Sequence, residues 1–283
     1  MIYPVSLCPD SSTVHEWLYR VTRMNSNLIN TDVKNVSVKL NYNLESLQLS
    51  VADVLEKYKP IGWQTKTQNT SYYKSLSLRY NPNHQDNLDE NYSSVGTPKN
   101  IPGEFFYNQT HNHSYLKDSY YDTYGFIKPT ACSLEGELGK FLSNIKRTVV
   151  RSRISTIIAS EQPNDPKAGW HRDEEIFVNL RLNIPITTSK EFYFEMDNVQ
   201  PYNLELGNIY SWDTNIAHRV FANNRTENKR TNLIIGCSPW LDYIPEENAW
   251  VKNEFFGKKH PFDMLLDGDI LPKEFIGNIE VDK

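Results

Sequence analysis

The sequence predicts a mainly β protein with flanking helices, and three observations carry that prediction. Six segments between residues 152 and 238 read as strands, divided by turn residues at the spacing of a sandwich or barrel. Helical periodicity gathers before residue 149 and after residue 246. At 283 residues the chain can bury a substantial core without disulfides or structural metals.

The elements follow in order. "SSTVHEWLYRVTRMN" (11–25) reads as a capped helix, and "VKNVSVKLNYN" (33–43) alternates as a strand. "LESLQLSVADVLEKY" (44–58) is helical, and Pro60-Ile61-Gly62 ends it. "YYKSLSLRY" (72–80) alternates again. From 81 to 120 the pattern dissolves into Asn, Pro, Gly, Ser and His, an irregular insert of the kind that serves as a lid or binding loop. "LEGELGKFLSNIKRT" (134–148) predicts a helix. Strands are expected at 152–160, 176–186, 191–196, 208–212, 218–222 and 231–238, and a helix at 260–269. The expected organisation is one domain: a helix-and-strand support (1–149), a β core (150–245) and a helical tail (246–283).

Composition narrows the function classes. A net charge of −5 argues against bulk nucleic-acid binding, which needs clustered Lys and Arg. Cys8, Cys132 and Cys237 lie far apart, with neither zinc-ligand nor redox spacing, as suits a reducing compartment. "MIYPVSLCPDSSTVHEW" has no basic or apolar signal region, and no run of about 18 apolar residues exists. A cytoplasmic protein without a membrane span is the expectation. No sequence feature sets an oligomeric state.

The chemistry concentrates in "GWHRDEEIFVNLRLNIPI" (169–186). Ile176, Val178, Leu180, Leu182, Ile184 and Ile186 share one face of the expected strand. Phe177, Asn179, Arg181 and Asn183 share the other, with Pro185 closing the row. Two amides and a guanidinium suit the wall of a polar pocket better than a solvated face. Just upstream, His171 and Asp173 are two residues apart, so extended backbone points them the same way. "GNIYSWDTNIAH" (207–218) ends in His218, which opens the next strand. Two histidines and a carboxylate make the facial triad that holds non-haem Fe(II) and leaves positions open for co-substrate and O2. Twelve positions after His218, Arg230 heads the strand "RTNLIIGCS", where a guanidinium suits bidentate capture of a carboxylate.

His171-x-Asp173, then His218, then Arg230 resembles the order of the Fe(II)/2-oxoglutarate-dependent dioxygenase superfamily. More narrowly, "WHRD", "LRLNIPI", "HRVFANN" and "RTNL" resemble the aspartyl/asparaginyl β-hydroxylase family, which includes free-proline hydroxylases. The resemblance covers roughly 150–240. It implies a double-stranded β-helix, jelly-roll and cupin-like, with Fe(II) held by His171, Asp173 and His218. It implies Arg230 on the distal carboxylate of 2-oxoglutarate, helped by Ser155. It puts Arg181 on a substrate carboxylate, with Asn183, Asn179 and Trp170 as further substrate contacts. The implied reaction is hydroxylation of an amino acid or amino-acid side chain, free or in a peptide, with succinate and CO2 as co-products. The family's animal peptide-hydroxylating members carry Gly where this chain has Asp173, so the complete triad sits nearer the proline hydroxylases.

Plainer readings stand beside these. Arg181 is alternatively a structural arginine paired with Asp or Glu inside the barrel, and Trp170 a core filler. Asp213 in "SWDT" reads as a turn residue rather than a ligand. "HNH" (111–113) is a solvated loop pair or, with Asp118 or Asp122, a second metal site. The alternative functions are a cupin-type isomerase or hydrolase using Zn or Mn at the same triad, and a non-catalytic binding module on the same fold.

Overall fold

A computed structural model of the chain describes residues 14, 17–18, 33, 35–64, 69–82, 123–162 and 169–280. All but the first two residues of the 81–120 insert, with its HNH tripeptide, and most of the 11–25 segment therefore lie outside the described residues. Of the latter, Val14, Trp17 and Leu18 are helical, and Val14 and Leu18 are buried.

The core is a large antiparallel sheet facing a small one. The strands of the large sheet are β1 (Asn35–Leu40), β2 (Ile61–Gln64), β3 (Asn69–Ser77), β6 (Val149–Ile158), β7 (Leu180–Thr187), β10 (Asn208–Trp212), β12 (Lys229–Cys237) and β15 (Ile276–Glu280). Their order is β15-β1-β10-β7-β12-β6-β3-β2. The small sheet has the order β11-β8-β9, from β8 (Phe192–Met196), β9 (Val199–Tyr202) and β11 (His218–Ala222). Two short ladders complete the set: β4 (Arg79–Tyr80) with β5 (Lys128–Pro129), and β13 (Leu241–Ile244) with β14 (Ala249–Lys252). This is the mainly β core with flanking helices that the strand spacing predicts.

Side-chain alternation gives the large sheet two different faces. Leu180, Leu182, Ile184 and Ile186 of β7 join Leu233 and Ile235 of β12 and Ile154 of β6 in one apolar cluster. The same cluster contains Leu47, Val51 and Val54 of α1 (Leu44–Tyr58) and Leu138, Phe141 and Leu142 of α2 (Gly136–Ser143). Each fully buried Leu or Ile contributes about 1.5–3 kcal/mol relative to exposure. α1 starts where Asn43 Oδ1 accepts from Ser46 N (3.0 Å), and ends at Lys59 (φ +48°) just before Pro60. The opposite face of the large sheet meets the small sheet, where Phe194 and Met196 pack on Tyr210 and Trp212.

Several boundaries differ from the sequence expectation. The 134–148 helix is a 3-10 turn (Ala131–Leu134) followed by the shorter α2, because Gly136 takes φ +53° between them. The 72–80 strand divides into β3 and β4 at Leu78. β7 begins at Leu180, not at 176, because Glu175 O accepts from Val178 N (2.9 Å) and Asn179 N (3.0 Å), closing a turn. The expected helical tail holds the short α3 (Pro261–Leu266), but also β14 and β15, the latter paired with β1. Among the described residues no helix is long and apolar enough to cross a membrane.

Candidate metal centre

Main-chain bonds bring the three predicted ligands together. His171 N donates to His218 O (3.1 Å) and His218 N to His171 O (3.0 Å). This reciprocal antiparallel bridge sets the two residues side by side. Asp173 follows at i+2, and its N–H donates to Thr214 O (2.8 Å). The ligand atoms of His171, Asp173 and His218 all lie within 4.8 Å of one another. Asp173 Oδ2 is 3.6 Å from His171 Nε2 and 3.8 Å from His218 Nε2.

The donor chemistry fits a divalent transition metal. His171 Nδ1 lies 2.7 Å from Gly169 O, and His218 Nδ1 lies 2.8 Å from Ile216 O. A carbonyl oxygen can only accept, so each Nδ1 carries the proton and each Nε2 presents its lone pair. Burial, and then the His171 ring beside it, push His218 down to about 3, so it is neutral at physiological pH. Burial alone would raise Asp173, but the Arg181 guanidinium, with the two histidines, outweighs it and holds the carboxylate well below its usual range. The result is two imidazole Nε2 atoms and one carboxylate oxygen converging on one point.

Arg181 meets protein carboxylates, as the plainer reading of the sequence expects. Its Nη1 donates to Asp173 Oδ2 and its Nη2 to Glu174 Oε2 (2.5 Å), so both terminal nitrogens are committed to protein carboxylates. The physical reason is the turn at Glu175, which folds the ligand loop back over the start of β7. Glu174 also accepts from Thr123 Oγ1 (2.6 Å) and pairs with Arg151 (3.3 Å). Burial would raise Glu174, yet Arg181 and Arg151 bring it down to about 2.

Further along the inner face the residues present unmatched hydrogen-bonding groups. Arg230 is buried on β12 opposite Ile157, and its Nε and Nη2 have no partner among the described residues. Burial pushes its guanidinium down to about 10, with Tyr73 and Tyr210 countering weakly. Ser155, opposite Asn232, shares a 2.8 Å hydrogen bond with Ser75. Asn232 Nδ2 donates to Asn183 Oδ1 (3.1 Å), leaving Asn183 Nδ2 and Asn232 Oδ1 unmatched. Asn179 is fully buried with neither amide atom partnered, and Gly236 lies against it. These orphaned donors suit a bound carboxylate. Trp170 is outside this row: it is 39% exposed, with the Arg219 guanidinium 5.0 Å from its ring. Asp213 serves a turn, accepting from Asn215 N (3.0 Å).

Glu174, Arg151 and Asn232 went unread in the sequence. The "DEE" run next to a ligand and the alternation of β6 and β12 were the available signals; inner rows of two further strands hold Arg151 and Asn232.

Comparison with known proteins adds the following. The family described as aspartyl/asparaginyl beta-hydroxylase matches residues 83–239, more than half of the chain. No curated protein matches. Among solved structures, the chain is similar to a 2OG-Fe(II) oxygenase family oxidoreductase from Burkholderia pseudomallei, with 14% identity over 77% of this chain and 89% of that one (TM-score 0.35). It is similar to IDO from Bacillus thuringiensis, with 11% identity over 78% and 97% (TM-score 0.38). It is also similar to a Pseudomonas putida prolyl-4-hydroxylase, with 6% identity over 87% and 100% (TM-score 0.31).

Proposed function

The chain belongs to the aspartyl/asparaginyl β-hydroxylase family, and from that premise we propose an Fe(II)/2-oxoglutarate-dependent oxygenase that hydroxylates an amino acid or amino-acid side chain. The observation that carries the reading is the cluster of His171, Asp173 and His218, with both Nε2 atoms freed by main-chain acceptors. These three residues would hold the iron. Bound iron supplies the activation of O2 that couples decarboxylation of 2-oxoglutarate to oxidation of a substrate C–H bond.

The chain's own residues do the rest. Arg230 receives the distal carboxylate of the co-substrate through Nε and Nη2, the two donors left without a partner. Ser155 adds a hydroxyl on the neighbouring strand, already oriented by Ser75. Asn183 and Asn179 line the inner row and present amide groups to whatever lies along it. The apolar inner face of the small sheet, Phe194 and Met196, keeps water from that side. Trp170, next to His171 and exposed, is the substrate-side wall.

Anaerobic addition of 2-oxoglutarate to the Fe(II)-loaded protein tests this reading. A visible charge-transfer band is expected, then succinate release in air with a substrate drawn from free amino acids and short peptides. If 2-oxoglutarate neither perturbs the iron spectrum nor yields succinate, the oxygenase reading fails. Turnover with Zn(II) or Mn(II) but without 2-oxoglutarate would instead support an isomerase or hydrolase.

A further inference from the structure

We propose that Glu174 is the charge-balancing positioning residue of the metal centre: it holds the second terminal nitrogen of Arg181, so that only Nη1 is left for Asp173, the carboxylate that must also act as a ligand. The inference rests on the metal reading above. Its basis is the way one guanidinium is shared. Arg181 Nη1 donates to Asp173 Oδ2, the same oxygen that lies 3.6 Å and 3.8 Å from the two imidazole Nε2 atoms. Any cation bound by the histidines and Asp173 must share that oxygen with Arg181. Arg181 Nη2 is held by Glu174 Oε2 at 2.5 Å, and Glu174 Oε1 is held in turn by Thr123 Oγ1 (2.6 Å) and Arg151 Nη1 (3.3 Å).

Charge decides what this arrangement does. Arg151 and Arg181 face Asp173 and Glu174, with the buried Arg153 guanidinium also acting on Asp173, and the four paired side chains are between 5% and 24% exposed. In so dry a cluster a missing charge is not screened by water. Without Glu174, the guanidinia of Arg151, Arg153 and Arg181 would confront a single carboxylate, the one that must also bind a divalent cation. Arg181 would then give both Nη donors to Asp173, and the net positive charge would repel the metal. Hydrogen-bonded partners behind metal ligands commonly change affinity by about 10–100-fold, which sets the scale.

The sharing makes the expected pattern unlike that of a residue that only supports the fold. Co(II) is titrated into the full-length protein, with calorimetry and the visible d–d spectrum as readouts. Glu174→Gln is expected to weaken binding at least tenfold. Arg181→Gln is expected to bind at least as tightly as wild type, because the competing cation is gone. The double variant Glu174→Gln/Arg181→Gln is expected to return to within about threefold of wild type. Glu174→Asp keeps the charge and is expected to retain affinity, so it decides the matter if Glu174→Gln fails to fold by circular dichroism. An unchanged Kd in Glu174→Gln, a double variant as weak as Glu174→Gln, or a tenfold loss in a folded Glu174→Asp overturns the proposal and leaves the oxygenase reading intact. A wild-type protein that binds no Co(II) overturns both.

Discussion

Replacing Arg230 with methionine should make the ligand-free protein more stable while removing its hold on 2-oxoglutarate. The guanidinium is 4% exposed, with no carboxylate among the described residues in ion-pair range. Burial pushes it down to about 10 from an ordinary 12.5. At 1.36 kcal/mol per decade that gap is a cost of about 3 kcal/mol for keeping the charge inside. The sign follows from the direction: a base whose folded pKa is lowered destabilises the fold fully below that value, and the cost fades only as pH rises past about 10. Methionine has similar reach and no charge, so the ligand-free variant should gain up to about 3 kcal/mol, or several degrees in Tm. Co-substrate binding should move the other way. Two charge-assisted bonds to a carboxylate are together worth about 3–5 kcal/mol, so the KM for 2-oxoglutarate should rise about 150- to 5,000-fold. The assay is a thermal melt of both proteins with Zn(II), with and without 2-oxoglutarate, beside succinate kinetics with Fe(II). Only wild type should gain Tm from the co-substrate. A ligand-free variant that loses stability, as an ordinary core truncation does, would refute the buried-charge reasoning. A variant that still binds 2-oxoglutarate normally would refute the assignment of Arg230.

Three further outcomes are expected. Ser155→Ala should raise the KM for 2-oxoglutarate severalfold and cost about 1 kcal/mol in urea unfolding, because it also strands the Ser75 hydroxyl. Gly236→Ala should destabilise by about 1–3 kcal/mol in the same measurement, since its Cβ would lie 2.4 Å from Asn179 Oδ1 and 3.1 Å from Arg151 O. Trp170→Ala should leave Tm nearly unchanged, as befits a half-exposed side chain, and raise the KM for substrate but not for 2-oxoglutarate in steady-state kinetics.

The strand 176–186 shows how much of this was legible in the sequence. Its alternation assigned Leu182 and Ile184 to the apolar core and Asn183 to the inner row, because a pleated strand has a fixed period of two. The three metal-ligand candidates were legible from residue type and spacing, and the structure clusters them. The strand's first residues were not legible, since Val178 and Asn179 donate to Glu175 O in a turn that the same alternation cannot reveal. Arg181 was placed on the right face with its partner left open between a substrate and a protein carboxylate: its row says which way it points, and only the folded-back loop says what it meets. Asn232 is a neighbour of Asn183 through pairing across strands, which one strand's pattern does not contain. β15 beside β1 is a long-range pairing of the same kind.

The backbone bridge between His171 and His218 separates two things that proteins often entangle. Where the donors stand is settled by amide-to-carbonyl bonds, which every residue but proline can make. Which donors stand there is settled by side chains, which take no part in those bonds. A protein engineer could therefore exchange an imidazole for a thiolate or a carboxylate at either position and keep the scaffold that aims it. A proline at either position would do the reverse, keeping the neighbouring ligands and dismantling the frame that brings them together.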